Sequence, residues 1–129
     1  MSNHIRVTLC CLLAFLLFPA NVCMGKVKAE GESTPQVIEF LIRTVAQSKL
    51  DFIRNGEKHT SAEAAEHMRE KYDYFRSKIE TPEDFIRLCA SKSLLSSKPY
   101  LVVTAHGTIP TAKWLQEKLA VHLQSQNHA

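Results

Sequence analysis

Asn55-Gly56 sits between two short β-type runs, Phe52-Ile53-Arg54 and Glu57-Lys58-His59, inside the stretch FIRNGEKHTSAE. Both residues of the dipeptide tolerate positive φ, as a two-residue type I′ hairpin turn requires. A hairpin with three-residue arms is not stable alone and must lean on helices or on another strand. The residues around it supply both. Thr60-Ser61-Ala62-Glu63 fits a capping box at the start of a helix. Ala65, Met68, Tyr72, Phe75 and Ile79 then recur at helical spacing, which predicts a helix from Ser61 to about Lys78 with that stripe inward.

Three more helices are expected. Thr34-Pro35 is a capping hydroxyl followed by proline at the first helical position, and Val37, Ile38, Leu41, Ile42 and Val45 form one apolar stripe up to about Ser48. Thr81-Pro82-Glu83-Asp84 repeats that start code, with acids near the positive helix end, for a short helix stopping near Ser91. Pro110-Thr111 opens the last helix to about Leu123, with Trp114, Leu115, Leu119 and Leu123 inward and Trp114 read as core. Tyr100 to Thr104 is the best strand, apolar enough to be covered on both faces, and Thr108-Ile109 returns briefly beside it. The expected fold class is α+β, about four helices packed on a small antiparallel sheet made of the hairpin plus one central strand, in a single domain over residues 35–123.

The first 25 residues differ from the rest. They contain no acid, Arg6 provides an early positive charge, and Val7 to Phe18 is apolar except for Thr8. Cys23 and Gly25 place small residues before a possible cut. This is the layout of a secretory signal peptide, with cleavage near Gly25, or as a second choice after Ala29. The apolar run falls short of the ~20 residues of a membrane span, so contact with a membrane is expected only through this leader, if it stays uncleaved. Residues 26–34 read as a linker and 124–129 as a flexible tail. The expected location is periplasmic or secreted.

Charge and cysteine usage narrow the partners. Loss of Arg6 with the leader lowers the net charge from +3 to +2, too balanced to call for nucleic acid. Three of the four cysteines, Cys10, Cys11 and Cys23, lie in the leader, so Cys89 is left without an internal disulfide partner and reads as a buried small hydrophobe.

No complete catalytic constellation is present. Gly-x-Ser-x-Gly, Ser-x-x-Lys and glycine-rich phosphate loops are missing from the sequence. His59, Glu63 and His67 could approach one another around the start of the second helix, and three such ligands suit zinc, but the spacing is not that of a metal motif. No cofactor is therefore assigned. The serine-rich stretch SKSLLSSK, residues 91–98, reads as an ordered loop whose hydroxyls, amides and lysine can hold an anion or a peptide terminus. If the Arg54-Asn55-Gly56 turn lies beside it, a polar pocket results.

The stretches FIRNGEKHTSAEAAEHMREKY, IETPEDFIRLCASKSLLSSKPYLV and WLQEKL together resemble the YfeK-like family of small exported bacterial proteins, a domain of unknown function. The match runs from Val37 to Leu119. The resemblance implies characteristic polar positions at Arg54, Asn55, Gly56, His67, Arg69, Lys71, Ser91, Ser93, Ser96, Lys98 and Tyr100, and export in a Gram-negative bacterium. It brings no activity. Similar proteins tend to carry glycine where this chain has Ser97, and a serine there speaks against a required positive φ.

The candidate binding surface is accordingly Arg54, Asn55, Gly56, His67, Arg69, Ser91, Ser93, Ser96, Lys98 and Tyr100. The expected function is a small exported binding or interaction module rather than an enzyme, its partner a protein, a peptide or a small anionic ligand of the cell envelope. The alternative is an envelope hydrolase using His67 or His59 as a base, with or without zinc.

Overall fold

The computed structural model describes residues 31–129. The leader, its cleavage site and the first part of the linker lie outside them. Helix α1 (Thr34–Gln47) leads into the hairpin β1 (Asp51–Arg54) and β2 (Glu57–His59), then helix α2 (Ser61–Phe75) and a 3₁₀ turn (Arg76–Lys78). Helix α3 (Pro82–Phe85) runs directly into a π-helical turn (Ile86–Ala90). A second hairpin, β3 (Leu101–Thr104) and β4 (Gly107–Pro110), precedes helix α4 (Thr111–Asn127). The fold is α+β, and none of the described helices is long and apolar enough to cross a membrane.

The strands form one antiparallel sheet in the order β2-β1-β3-β4, two hairpins joined through their inner strands. The central strand expected at Tyr100–Thr104 is therefore present, and its return is a full strand. Asn55 (φ 55°) and Gly56 (φ 82°) both take the left-handed conformation demanded by the turn.

One sheet face packs on the helices. Phe52, Val102 and, in part, Ile109 point to it in register across three strands. Phe52 meets Trp114 of α4 edge to face, with ring centroids 6.0 Å apart. The expectation that β3 is covered on both faces is corrected: Leu101 and Val103 are half-buried and meet Ile53, Asp51, Pro110 and Thr108 on neighbouring strands rather than a helix. Period 2 puts alternate residues on opposite faces, so an apolar run alone does not prove a second cover.

The stripe expected on α1 is buried as a unit, from Val37 to Val45. Each such side chain contributes about 1.5–3 kcal/mol on burial. The start of α1 lies one residue earlier than expected, with Ser33 as the cap and its N–H donating 2.8 Å to the Gln36 side chain. On α2 the Thr60–Glu63 capping box forms, with the Thr60 N–H donating 2.7 Å to Glu63 and the Glu63 N–H 3.2 Å to Thr60. Its buried face is Ala64, Ala65, Met68, Lys71 and Phe75, while Tyr72 and Ile79 are only half-buried. The face is rotated towards Lys71 because α1 and the π-helical turn pack on this helix and the Lys92 carbonyl accepts from the lysine.

Two endings also differ. Helix α4 continues to Asn127, since nothing in Gln124-Ser125-Gln126 stops it, so the tail is shorter than expected and Leu123, beyond the core, is exposed. Ser97 does take a left-handed backbone (φ 57°), contrary to the expectation from its side chain.

Candidate functional site

The inward period of β1 carries Phe52 into the core and brings Arg54, two residues on, to the same face at the sheet's end. Tyr100, just before β3 and in phase with Val102, comes to the same place beside it. Helix α2 supplies His67 and Lys71, four residues apart on one face. The loop between the π-helical turn and β3 closes the site.

That loop is held from several sides. The Tyr100 N–H donates to the Ser91 carbonyl (2.9 Å), the Ser93 N–H to the Lys98 carbonyl (3.0 Å) and the Ser97 N–H to the Ser93 carbonyl (3.0 Å). The Ser93 hydroxyl accepts from the Leu95 and Ser96 amides, which leaves its own proton available. The Ser96 hydroxyl donates 2.5 Å to the Asn55 side chain, joining the loop to the hairpin turn.

Together these elements form a concavity of about 420 Å³, lined by Arg54, Asn55, His67, Lys71, Ser93, Leu94, Leu95 and Tyr100. Lys71 lies at its floor, 5% exposed, donating 3.0 Å to the Lys92 carbonyl and lying 3.5 Å from the Tyr100 hydroxyl. An ammonium only donates, so the Tyr100 oxygen accepts from Lys71 and its proton points to Nε2 of His67, 3.1 Å away. His67 is then the neutral tautomer protonated at Nδ1, which faces Glu70 across 3.7 Å.

The electrostatics agree with that assignment. Burial, and then the charges of Arg54 and Lys71, hold His67 below the ordinary histidine value. Burial likewise lowers Lys71 and raises Tyr100. Among the described residues no carboxylate stands within 4.0 Å of Arg54 or Lys71. Glu63, Glu66 and Glu70 line a shallow groove that shares Arg54 and His67 with the concavity. The site thus offers a negative group two cations, the Asn55 amide N–H and the Ser93 hydroxyl as donors, with the Tyr100–His67 pair hydrogen-bonded to itself beside them.

A second, smaller cavity of about 20 Å³ adjoins it, lined among others by Arg54, His59, His67, Tyr100 and Thr111. It has the size of one water molecule. Nε2 of His59 and Oγ1 of Thr111 are buried on it without a protein partner.

Of the ten candidate residues, Arg54, Asn55, His67, Ser93 and Tyr100 line the concavity. The other five do not. Gly56 shapes the turn, Ser96 ties the loop to Asn55, and Ser91 caps the π-helical turn by donating 2.8 Å to Ile86. Lys98 is exposed beyond the lining. Arg69 points from α2 to α1 and forms a bidentate pair with Glu39 at 2.9 and 2.7 Å, which holds the Glu39 carboxyl below its usual range. Lys71, a polar position implied by the resemblance but not included in the candidate surface, lines the concavity as well. Its signal is the spacing of Ala64, Met68, Lys71 and Phe75: a lysine occupies a core position of the helix.

The zinc arrangement is not assembled. Glu63 turns back to cap Thr60, and the backbone bond from Thr60 lowers its carboxyl. No three His, Cys, Asp or Glu side chains come together in a metal-holding group among the described residues. Cys89 is fully buried, and burial pushes its thiol up to about 12.

Comparison with known proteins identifies the family. No solved structure matches the chain. It is 39% identical over 93 residues to the uncharacterized protein YfeK of Salmonella typhimurium, covering 70% of this chain and 72% of that protein. Residues 32–122 match DUF5329, described as a family of unknown function. The match spans every element from α1 through most of α4, and the chain belongs to this YfeK-like family, DUF5329.

Proposed function

We propose that this protein is a small binding module of the bacterial cell envelope that captures an anionic group, on a small ligand or at the end of a peptide, in the concavity between the hairpin turn and the serine-rich loop. One observation carries the reading: Arg54 and Lys71 line one concavity with no carboxylate within 4.0 Å of either among the described residues. Two cations lining one concavity repel one another, and an anion between them relieves that repulsion. Lys71 adds the stronger argument, because a buried ammonium is destabilising unless a partner compensates it. Neutral donors on Ser93 and Asn55 would orient the anion.

Binding is favoured over catalysis by the state of the nucleophiles. Burial keeps Tyr100 protonated, the Cys89 thiol is far from ionised at neutral pH, and His67 already accepts a hydrogen bond from the Tyr100 hydroxyl. Export with cleavage near Gly25, to the periplasm or the outside, is part of the proposal and rests on the leader's composition. Cell fractionation would show a product shortened by the leader.

The binding test is calorimetric titration with inorganic phosphate. Arg54→Ala should weaken binding by roughly 10- to 100-fold, the worth of a charge-assisted hydrogen bond. Equal affinity in wild type and variant, or no binding in either, would remove the proposal.

A further inference from the structure

Two leucines in the serine-rich loop have no place in the core. Leu94 is 60% exposed and Leu95 97% exposed, yet the backbone that carries them is held by the Ser93, Ser97 and Tyr100 hydrogen bonds described above. A loop free to move could turn these side chains inward, whereas this one is built to keep them out. Both line the same concavity as Arg54 and Lys71, with Lys71 buried at the floor and Leu95 standing in solvent at the lip. The concavity has room for about fourteen water-sized groups at about 30 Å³ each, much more than an inorganic anion fills.

We infer that the ligand is an anion carrying an unbranched aliphatic chain, its charged head held by Arg54 and Lys71 and its chain lying over Leu94 and Leu95. The inference rests on the anion-binding reading and adds the ligand's class to it. Adjacent exposed leucines fixed beside a cationic floor match an amphiphile at both ends: the head satisfies the unpaired charges, and the chain takes apolar surface out of water. The acidic groove shares Arg54 and His67 with the concavity but not Lys71 or the leucines, and its three carboxylates repel the head, so the anion is directed to the Lys71 side and its chain to the leucine lip.

The experiment is calorimetry on the full chain with inorganic phosphate, ethyl phosphate and hexyl phosphate, the last below its aggregation concentration. Each methylene that becomes fully buried should tighten binding by about fourfold, so hexyl phosphate should bind at least about tenfold more tightly than inorganic phosphate even if only half-covered. A Leu94→Ser, Leu95→Ser double variant should keep the affinity for inorganic phosphate and lose the gain with chain length. Neither side chain is buried, so the variant leaves the core untouched. If inorganic phosphate binds but chain length makes no difference, or the gain survives in the double variant, the amphiphile assignment is overturned while anion binding stands. If no phosphate compound binds, both fall together.

Discussion

The Ser96 hydroxyl reaches the Asn55 side-chain oxygen at 2.5 Å, across 41 residues of sequence, and this contact joins the serine-rich loop to the hairpin turn. Asn55→Gly keeps a residue that tolerates positive φ in the turn and removes only the link. Amide hydrogen exchange in residues 94–98 should accelerate by roughly fivefold, the equivalent of one ordinary hydrogen bond, with β1 and β3 unchanged. Acceleration throughout the sheet would mean that the turn, not the link, had been damaged.

Ser97 adopts φ 57° without the freedom of glycine. The left-handed conformation is unfavourable for a residue with a Cβ, by about 1–2 kcal/mol, and part of that is recovered when glycine replaces it, after its own extra chain entropy is counted. Ser97→Gly should therefore raise stability by about 0.5–1 kcal/mol, read as a higher urea midpoint with an unchanged slope. A lower midpoint would show that the Ser97 side chain contributes more than its backbone strain removes.

Lys71 is 5% exposed, and burial lowers its affinity for a proton. Its charged form is thus a liability for folding at neutral pH, only partly offset by the Lys92 carbonyl and by the Tyr100 ring, whose centroid lies 5.0 Å from the ammonium. Lys71→Met, similar in length and apolar, should stabilise the protein by about 1 kcal/mol while abolishing phosphate binding. Destabilisation together with intact binding would assign Lys71 a purely structural role.

His67 gives a pH dependence with a definite sign. Its folded-state value is lowered, chiefly by burial and then by Arg54 and Lys71 against the opposing pull of Glu70, so between that value and the ordinary one of about 6.5 the unfolded chain binds more protons than the folded one. Its contribution is fully present above the ordinary value and is lost as pH falls through the lowered one. Wild type should be less stable at pH 5.5 than at pH 7.5, and His67→Gln should flatten that difference. An equally steep loss in the variant would place the responsible group elsewhere.

Much of this was readable because the signals were local. The Asn55-Gly56 turn, the Thr60–Glu63 box and the α1 stripe each specify their element within a few residues, and the turn and loop identified separately do meet. What escaped was set by tertiary placement. Which face of α2 turns inward depends on the elements packed on it, chiefly α1 and the π-helical turn, so apolar spacing alone put Tyr72 in the core and left Lys71 out of it. Arg69 sits on the same helix as His67, two residues away, yet points to Glu39 on α1. The left-handed Ser97 contradicts its own propensity because the bonds that close the loop over-determine it.

The most direct test of the account is the titration of Lys71 itself, followed by carbon-13 NMR of selectively labelled lysine with and without saturating phosphate. The ammonium should titrate below the ordinary lysine value in the free protein and move back towards it when phosphate is added, because an opposite charge nearby favours the protonated form. A Lys71 signal that titrates at the same pH with and without phosphate would contradict the assignment of this concavity as an anion site.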